Sequence, residues 1–303
     1  MLEARAFEPD FLRRLDGLVL GVQRSRTVRE GRRTLGRVQG LGIEPESFKE
    51  YTEGDDLRFL DWNAFARLDD LTIRTFRAER EIEVTILVDA SASMGLPRED
   101  DKLGFALGLA AALAYVAMAS NDAVRIGAFP SAARGGALRL QTSALHRRRE
   151  TYPAFRTFVS EVRPGGATQM SAAVERLLLE RRPAGTVILI SDFLISAAEY
   201  EQALRGLLRA RHEVKVIHVL GDRESSGDYP PGHYRVRDSE TGELCEVTLG
   251  AGAAQSCRRR AERLSSELAA FCASHGMVYA RAFGATHFDD IVMREFPRLG
   301  VMR

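Results

Sequence analysis

Cysteine is scarce in this chain: three in 303 residues, Cys245, Cys257 and Cys272, with no CxxC spacing. An odd, dispersed set makes a poor disulfide framework and fits reduced thiols acting as small hydrophobes. Lysine is as scarce. Of 43 basic residues only Lys49, Lys102 and Lys215 are lysines, and the arginines spread along the whole chain. Net charge is nearly absent, 43 basic against 42 acidic side chains, which argues against holding nucleic acid by bulk electrostatics. The start, Met1-Leu2-Glu3-Ala4-Arg5, has no apolar run, so no signal peptide is expected. The six histidines, His146, His212, His218, His233, His275 and His287, show no metal-ligand spacing. There is no Walker A sequence, no GxGxxG after a strand and no GxSxG elbow. An aspartyl-nucleophile phosphatase would want a second acid two residues after Asp89, where Ser91 stands instead.

What is present is enough apolar material for a sizeable core, 45% hydrophobic against 28% charged. One stretch without a charge, Leu103 to Ser120, reaches the edge of membrane-spanning length. Seven of its residues are alanine and two are glycine, which contribute little to insertion, so a buried helix is expected. From residue 81 onward, β-branched runs alternate with helical periodicity. Strands are predicted at 82–88, 123–129, 137–141, 186–191, 213–220 and 277–283. Helices are predicted at 151–162, 171–181, about 196–211 (opened by the capping box Ser196-Ala-Ala-Glu199) and 255–274, and a hairpin at 234–249 around Thr241-Gly242. The expected fold is α/β, a mostly parallel sheet with helices on both faces. Residues 1–80 are expected to form an N-terminal extension packed on this domain of residues 81–303. That extension reads as a helix over 9–26, a basic turn or hairpin over 27–42, and a short strand over 71–76. Trp62, the only tryptophan, reads as its core anchor, and His218 as a satisfied core residue. The acids of the Asp55-Asp56-Leu57-Arg58 and Asp61 cluster are expected to pair with Arg58, Arg67 or the arginines upstream.

In open α/β sheets the functional crevice lies at the carboxyl ends of the strands. There the sequence places Asp89-Ala90-Ser91-Ala92-Ser93, then Thr168 in a glycine-rich loop, then Asp192 after a buried strand. Carboxylate and hydroxyl oxygens suit a hard cation of the magnesium class. So sparsely charged a donor set would leave the ion a residual positive field for an anionic oxygen from outside the protein.

The pattern Asp89-x-Ser91-x-Ser93, with Thr168 and Asp192, resembles the metal-ion-dependent adhesion site of von Willebrand factor A domains. The upstream segment Tyr51-Thr-Glu-Gly-Asp-Asp-Leu-Arg58, with Asp61-Trp62, Ala66-Arg67 and Phe76-Arg77-Ala78-Glu79-Arg80, resembles the signature of the bacterial "domain of unknown function fifty-eight" family. That resemblance implies a von Willebrand A-like fold, Mg2+ or another hard divalent cation at the five residues, and a protein partner. The partner it implies is a MoxR-type AAA+ ATPase or that ATPase's client. Longer members carry transmembrane helices ahead of the signature; none stands there in this sequence, so a cytoplasmic chain is expected. The reading is a metal-dependent protein-binding module and not an enzyme. The alternative is a magnesium-dependent phosphoester hydrolase, for which no general base is evident. Residues 13–37 hold eight arginines and two acids, and residues 44–70 hold nine acids and three bases. The two segments are expected to pack together or to face a partner of mixed charge.

Overall fold

The computed structural model describes residues 5–21, 47–53, 57, 60–68, 70–75, 82–131, 139–227, 229–250, 252–284 and 288–303. The chain divides into two compact units, residues 24–81 and residues 1–23 with 82–303. Helix α1 (Pro9–Leu15) therefore belongs to the larger unit. The expected boundary near residue 80 is corrected for its first part.

In the smaller unit, β1 (Ser47–Glu50) pairs antiparallel with β2 (Thr72–Thr75), Glu50 opposite Thr72. Helix α2 (Trp62–Leu68) lies between them in sequence. Asp61 is buried and caps α2: its Oδ1 accepts from the amides of Asn63 (3.0 Å) and Ala64 (3.2 Å). Leu60 takes the buried position. Trp62 is 62% exposed and meets Phe65 edge to face, so it is not the core anchor that was expected. It is the first residue after the cap, on the open side of the helix. The basic segment 27–42, Asp55, Asp56 and Arg58 lie outside the described residues.

In the larger unit a six-stranded sheet carries the fold. Its strands are β3 (Glu83–Asp89), β4 (Ala123–Ser131), β5 (Arg139–Thr142), β6 (Thr186–Ser191), β7 (Glu213–Leu220) and, later in the chain, Val278–Phe283. The last of these borders β7, and β6, β3, β4 and β5 follow in that order across the sheet. Every pairing is parallel except that of β4 with the edge strand β5. The architecture is mixed α/β of the Rossmann, von Willebrand A-like kind, as expected.

Strand periodicity sorts the core into two clusters. Val84, Ile86, Val88, Ile188, Ile190, Ile217 and Val219 face one side, and Leu87, Val187, Leu189, Val214 and Val216 the other. Helix α3 (Lys102–Ala119) covers the first face. It is long and apolar enough to cross a membrane by length and composition, and it is buried from Lys102 to Met118. The described outer layer over α3 comprises α1, α4 (Pro153–Glu161) and the closing turns Phe288–Asp290, Ile291–Glu295 and Phe296–Arg298. Helices α5 (Met170–Leu178), α6 (Ala197–Arg209) and, beyond the short α7 (Asp222–Ser226), α8 (Ala253–Ser274) serve the second face. The hairpin of β8 (Gly232–Arg237) and β9 (Leu244–Leu249) precedes α8, and β10 is the Val278–Phe283 strand. Of the capping box, Ser196 Oγ does accept from the Glu199 amide (3.3 Å). The Glu199 carboxylate turns away and accepts from the Ser171 amide (2.9 Å), joining α6 to α5.

The first residues join this unit through backbone pairing. Val19 and Arg303 exchange amide bonds of 2.8 and 2.7 Å, and the Gly21 amide donates to Val301 O (3.0 Å). Residues 19–21 pair with the chain end and so leave the helix expected over 9–26, which stops at Leu15; residues 22–26 lie outside the described residues. A Cβ on Gly21 would meet the Gly300 carbonyl at 2.5 Å, so only glycine allows the approach. Buried Lys215 of β7 donates to the Gly21 carbonyl (2.7 Å) and pairs with Glu213 (3.0 Å). Arg13 pairs with Asp10, and Arg14 and Arg5 with Asp289. The described arginines of the basic front segment thus meet acids of their own unit.

Burial works to raise the Asp289 carboxyl, but Arg5 and Arg14 outweigh it and hold it below the usual aspartate value. A carboxyl depressed in the folded state contributes stability above its unfolded pKa and loses it as pH falls through the folded value. Asp289→Asn is expected to cost up to about 1 kcal/mol at neutral pH and progressively less as pH falls below about 4, measured by urea unfolding across that range.

Candidate functional site

The strand order places a switch point in the sheet. From β3 the chain crosses to β4 on one side, and β6 then returns to β3's other flank. In open α/β sheets such a point opens a crevice beyond the strand carboxyl ends. Asp89 is the last residue of β3, and Asp192 follows β6 directly.

Around Asp89 the bonds are short and local. Its Oδ1 accepts from the Ser91 amide (2.9 Å) and its Oδ2 from Ser191 Oγ (2.7 Å). Ser191 Oγ in turn accepts from the Phe193 amide (2.9 Å). The Ser91 and Ser93 hydroxyls lie 2.9 Å apart. Asp89, Ser91, Ser191 and Asp192 are buried, and Ser93 and Thr168 are half-buried. The loop carrying Thr168 is laced to this turn: Gly165 N donates to Ala90 O (2.9 Å) and Ala92 N to Gly166 O (3.0 Å). Burial, with repulsion from Asp192, pushes the Asp89 carboxyl up to about 7 against the hydrogen bonds from Ser191 and Ser91.

Asp192 carries a partner that sequence reasoning missed. Lys102 Nζ lies 2.8 Å from Asp192 Oδ2 and 2.8 Å from Glu224 Oε2, and its side chain is 1% exposed. Lys102 opens α3, where the helix dipole disfavours a cation, so the two carboxylates offset both dipole and desolvation. Burial works to lower the ammonium's pKa, yet Asp192 and Glu224 hold it above the ordinary lysine value. His218 faces the same corner. Its Nε2 lies 3.1 Å from the Asp192 carbonyl and its Nδ1 2.9 Å from the Tyr279 hydroxyl. The carbonyl can only accept, so Nε2–H donates and Nδ1 receives the Tyr279 proton. Burial lowers His218 to about 4 and keeps the ring neutral. It is the satisfied core histidine the sequence suggested, with neither nitrogen left for general-base work.

Asp89, Ser91 and Ser93 are brought together as read from the sequence, with Asp192 close enough to raise Asp89. Thr168 takes a further partner. Its hydroxyl donates to Glu240 Oε1 (2.8 Å) and its amide to Glu240 Oε2 (3.2 Å). Ser191, Lys102, Glu224 and Glu240 were not anticipated. Only Lys102 had a signal, as one of three lysines among 43 basic residues and the first residue before the apolar run. Among the described residues no group of three or more histidine, cysteine or carboxylate side chains is placed to hold a metal ion. A cation here would depend on hydroxyls. The chemistry of the donor set fits one: oxygen atoms only, with a desolvated carboxylate at its base.

A family profile described as "Protein of unknown function DUF58" matches residues 47–268. The chain belongs to the DUF58 family. It is 31% identical over 219 residues to uncharacterized proteins of Mycobacterium tuberculosis and Mycobacterium bovis. Each of these alignments covers 71% of this chain and 66%, just under two thirds, of the relative. Among solved structures it is similar to the conserved hypothetical protein BatB of Bacteroides thetaiotaomicron (TM-score 0.42, 16% identity, 72% of this chain and 98% of that one). An aerotolerance-related membrane protein of Bacteroides fragilis matches comparably (0.41, 17%, 72% and 98%). The pilus adhesin SpaC of Lactobacillus rhamnosus GG matches over 74% of this chain and 30% of its own (0.46, 11%). These superpositions are loose, and the fold class of this chain rests on its own sheet order.

Two measurements probe the crevice. Lys102→Met leaves Asp192 buried without its ammonium and is expected to cost about 3 kcal/mol or more in denaturant unfolding; adding Asp192→Asn should restore part of it. Asp89, raised in the folded state, contributes stability below its unfolded pKa that is lost as pH rises toward 7. With chelator present, Asp89→Asn should therefore gain on the wild type from pH 4 to pH 8, read from urea midpoints.

Proposed function

We propose that the crevice is a divalent-cation site and that the chain is a protein-binding module capturing an acidic group of its partner through that cation. The observation that carries this reading is the joining of Asp89, Ser91 and Ser93 at the switch point, where a buried carboxylate lies beneath two hydroxyls 2.9 Å apart. Ser91, Ser93 and Thr168 would present their hydroxyls to a magnesium-class ion, with Asp89 supplying the negative charge and Asp192, paired with Lys102, standing behind the site. A bound cation would supply attraction for a carboxylate oxygen, and it would relieve the desolvation that raises Asp89. The half-exposed rim at Ser93 and Thr168 leaves the ion accessible from solvent. The partner proposed is a MoxR-type AAA+ ATPase or its client, on the strength of the family to which the chain belongs.

The test uses the full chain and the MoxR-type ATPase of the same genome. Binding should be at least about tenfold tighter in magnesium than in chelator, and Asp89→Ala should lose that gain. Magnesium alone should also raise the melting temperature of the wild type, by the equivalent of about 2.7 kcal/mol at a hundred times its dissociation constant. An ATPase that binds equally well in chelator and to Asp89→Ala would sink the metal bridge.

A further inference from the structure

The β8–β9 hairpin has one residue out of keeping with the rest. From Arg235 to Thr248 every residue is exposed except Glu240, at the tip. The tip is tightly built. Asp238 Oδ1 accepts from the amides of Glu240 and Thr241 (both 2.8 Å), and its backbone amide donates to Glu243 O (2.8 Å). Gly242, at φ +76°, donates its amide to Asp238 O (3.0 Å). A stiff, solvated arm thus delivers a single carboxylate, and that carboxylate accepts from both the hydroxyl and the amide of Thr168.

The charge at the crevice gives this contact meaning. Asp192 is already committed to the Lys102 ammonium, which leaves Asp89 as the one acid among the five site residues without a buried cation beside it. A hard divalent ion is held through one or two carboxylates and completes its shell with other oxygens, so a site with one available carboxylate has room for a second. We propose that Glu240 is a built-in acidic ligand of this site. It occupies the place that a partner's carboxylate takes, and the arm is displaced when the partner binds. This inference rests on the cation site proposed above.

Manganese serves as the probe, titrated into the full chain and followed by electron paramagnetic resonance, with amide exchange at Thr168 read separately in chelator. Glu240→Ala should weaken manganese binding about tenfold, the loss of one charge-assisted ligand, and should speed exchange of the Thr168 amide. Glu240→Gln keeps an acceptor but no charge, so it should weaken manganese comparably while preserving part of the amide protection. Acetate, standing in for a partner's carboxylate, should bind manganese-loaded Glu240→Ala at lower concentration than manganese-loaded wild type. Manganese affinity within twofold of wild type in Glu240→Ala, or an unchanged Thr168 amide, overturns the internal ligand and leaves the cation site standing. A wild type that binds no manganese overturns the cation site itself, and the internal ligand with it.

Discussion

Helix α3 is buried on every side, and much of the larger unit follows from that constraint. A helix of alanine, leucine and glycine has no polar stripe to offer water, so it needs the sheet beneath and a second layer above. The second layer comes from distant parts of the chain: α1 at the front, α4 in the middle, and the turns from Phe288 to Arg298 at the back. The Tyr115 hydroxyl donates to Asp16 (2.8 Å) and the Tyr152 hydroxyl to the Ala6 carbonyl (2.9 Å), fastening the front segment onto the helix and its neighbour. Residues 5–21 therefore belong with the domain that begins, in sequence, sixty residues later.

The same burial sets the electrostatics of the crevice. The N-terminus of α3 is enclosed at the carboxyl ends of β3 and β6, so its first residue must carry a group that can be satisfied there. Lys102 is satisfied by Asp192 and Glu224. This pair works at one side of the switch point, while Asp89 on the other side has only hydroxyl and amide donors and is pushed toward neutrality. The crevice is polarised within a few residues: one acid neutralised by an internal cation, one acid poorly solvated. A cation among the hydroxyls would balance the second as Lys102 balances the first.

Much of this was legible before the structure. Strands buried on both faces announce themselves as continuous β-branched runs, so β3, β6 and β7 were found close to their true ends. The Asp89-Ser91-Ser93 turn was legible because three polar residues at alternate positions end such a run. The contacts that complete the site were not, because they join residues far apart in sequence. Lys102 to Asp192 spans 90 positions, Thr168 to Glu240 spans 72, and Asp89 to Ser191 spans 102. Local pattern carries no register for them. Trp62 departs from expectation for a different reason: size and apolarity suggest a core role, but it directly follows the Asp61 cap and is exposed.

Composition points to the same site from another direction. Where nearly every basic residue is arginine, the two lysines with described side chains, Lys102 and Lys215, are both fully buried. A guanidinium brings five N–H donors in a rigid plane, each of which must find an acceptor once water is gone. An ammonium is compact and can aim its donors at whatever oxygens are near. Lys102 aims at Asp192 and Glu224, and Lys215 at Glu213 and the Gly21 carbonyl. Arg125 is buried too, and Thr85, Glu83 and Glu180 supply acceptors to its guanidinium. Each of the two buried lysines joins segments distant in sequence, and one of them, Lys102, forms the wall of the crevice.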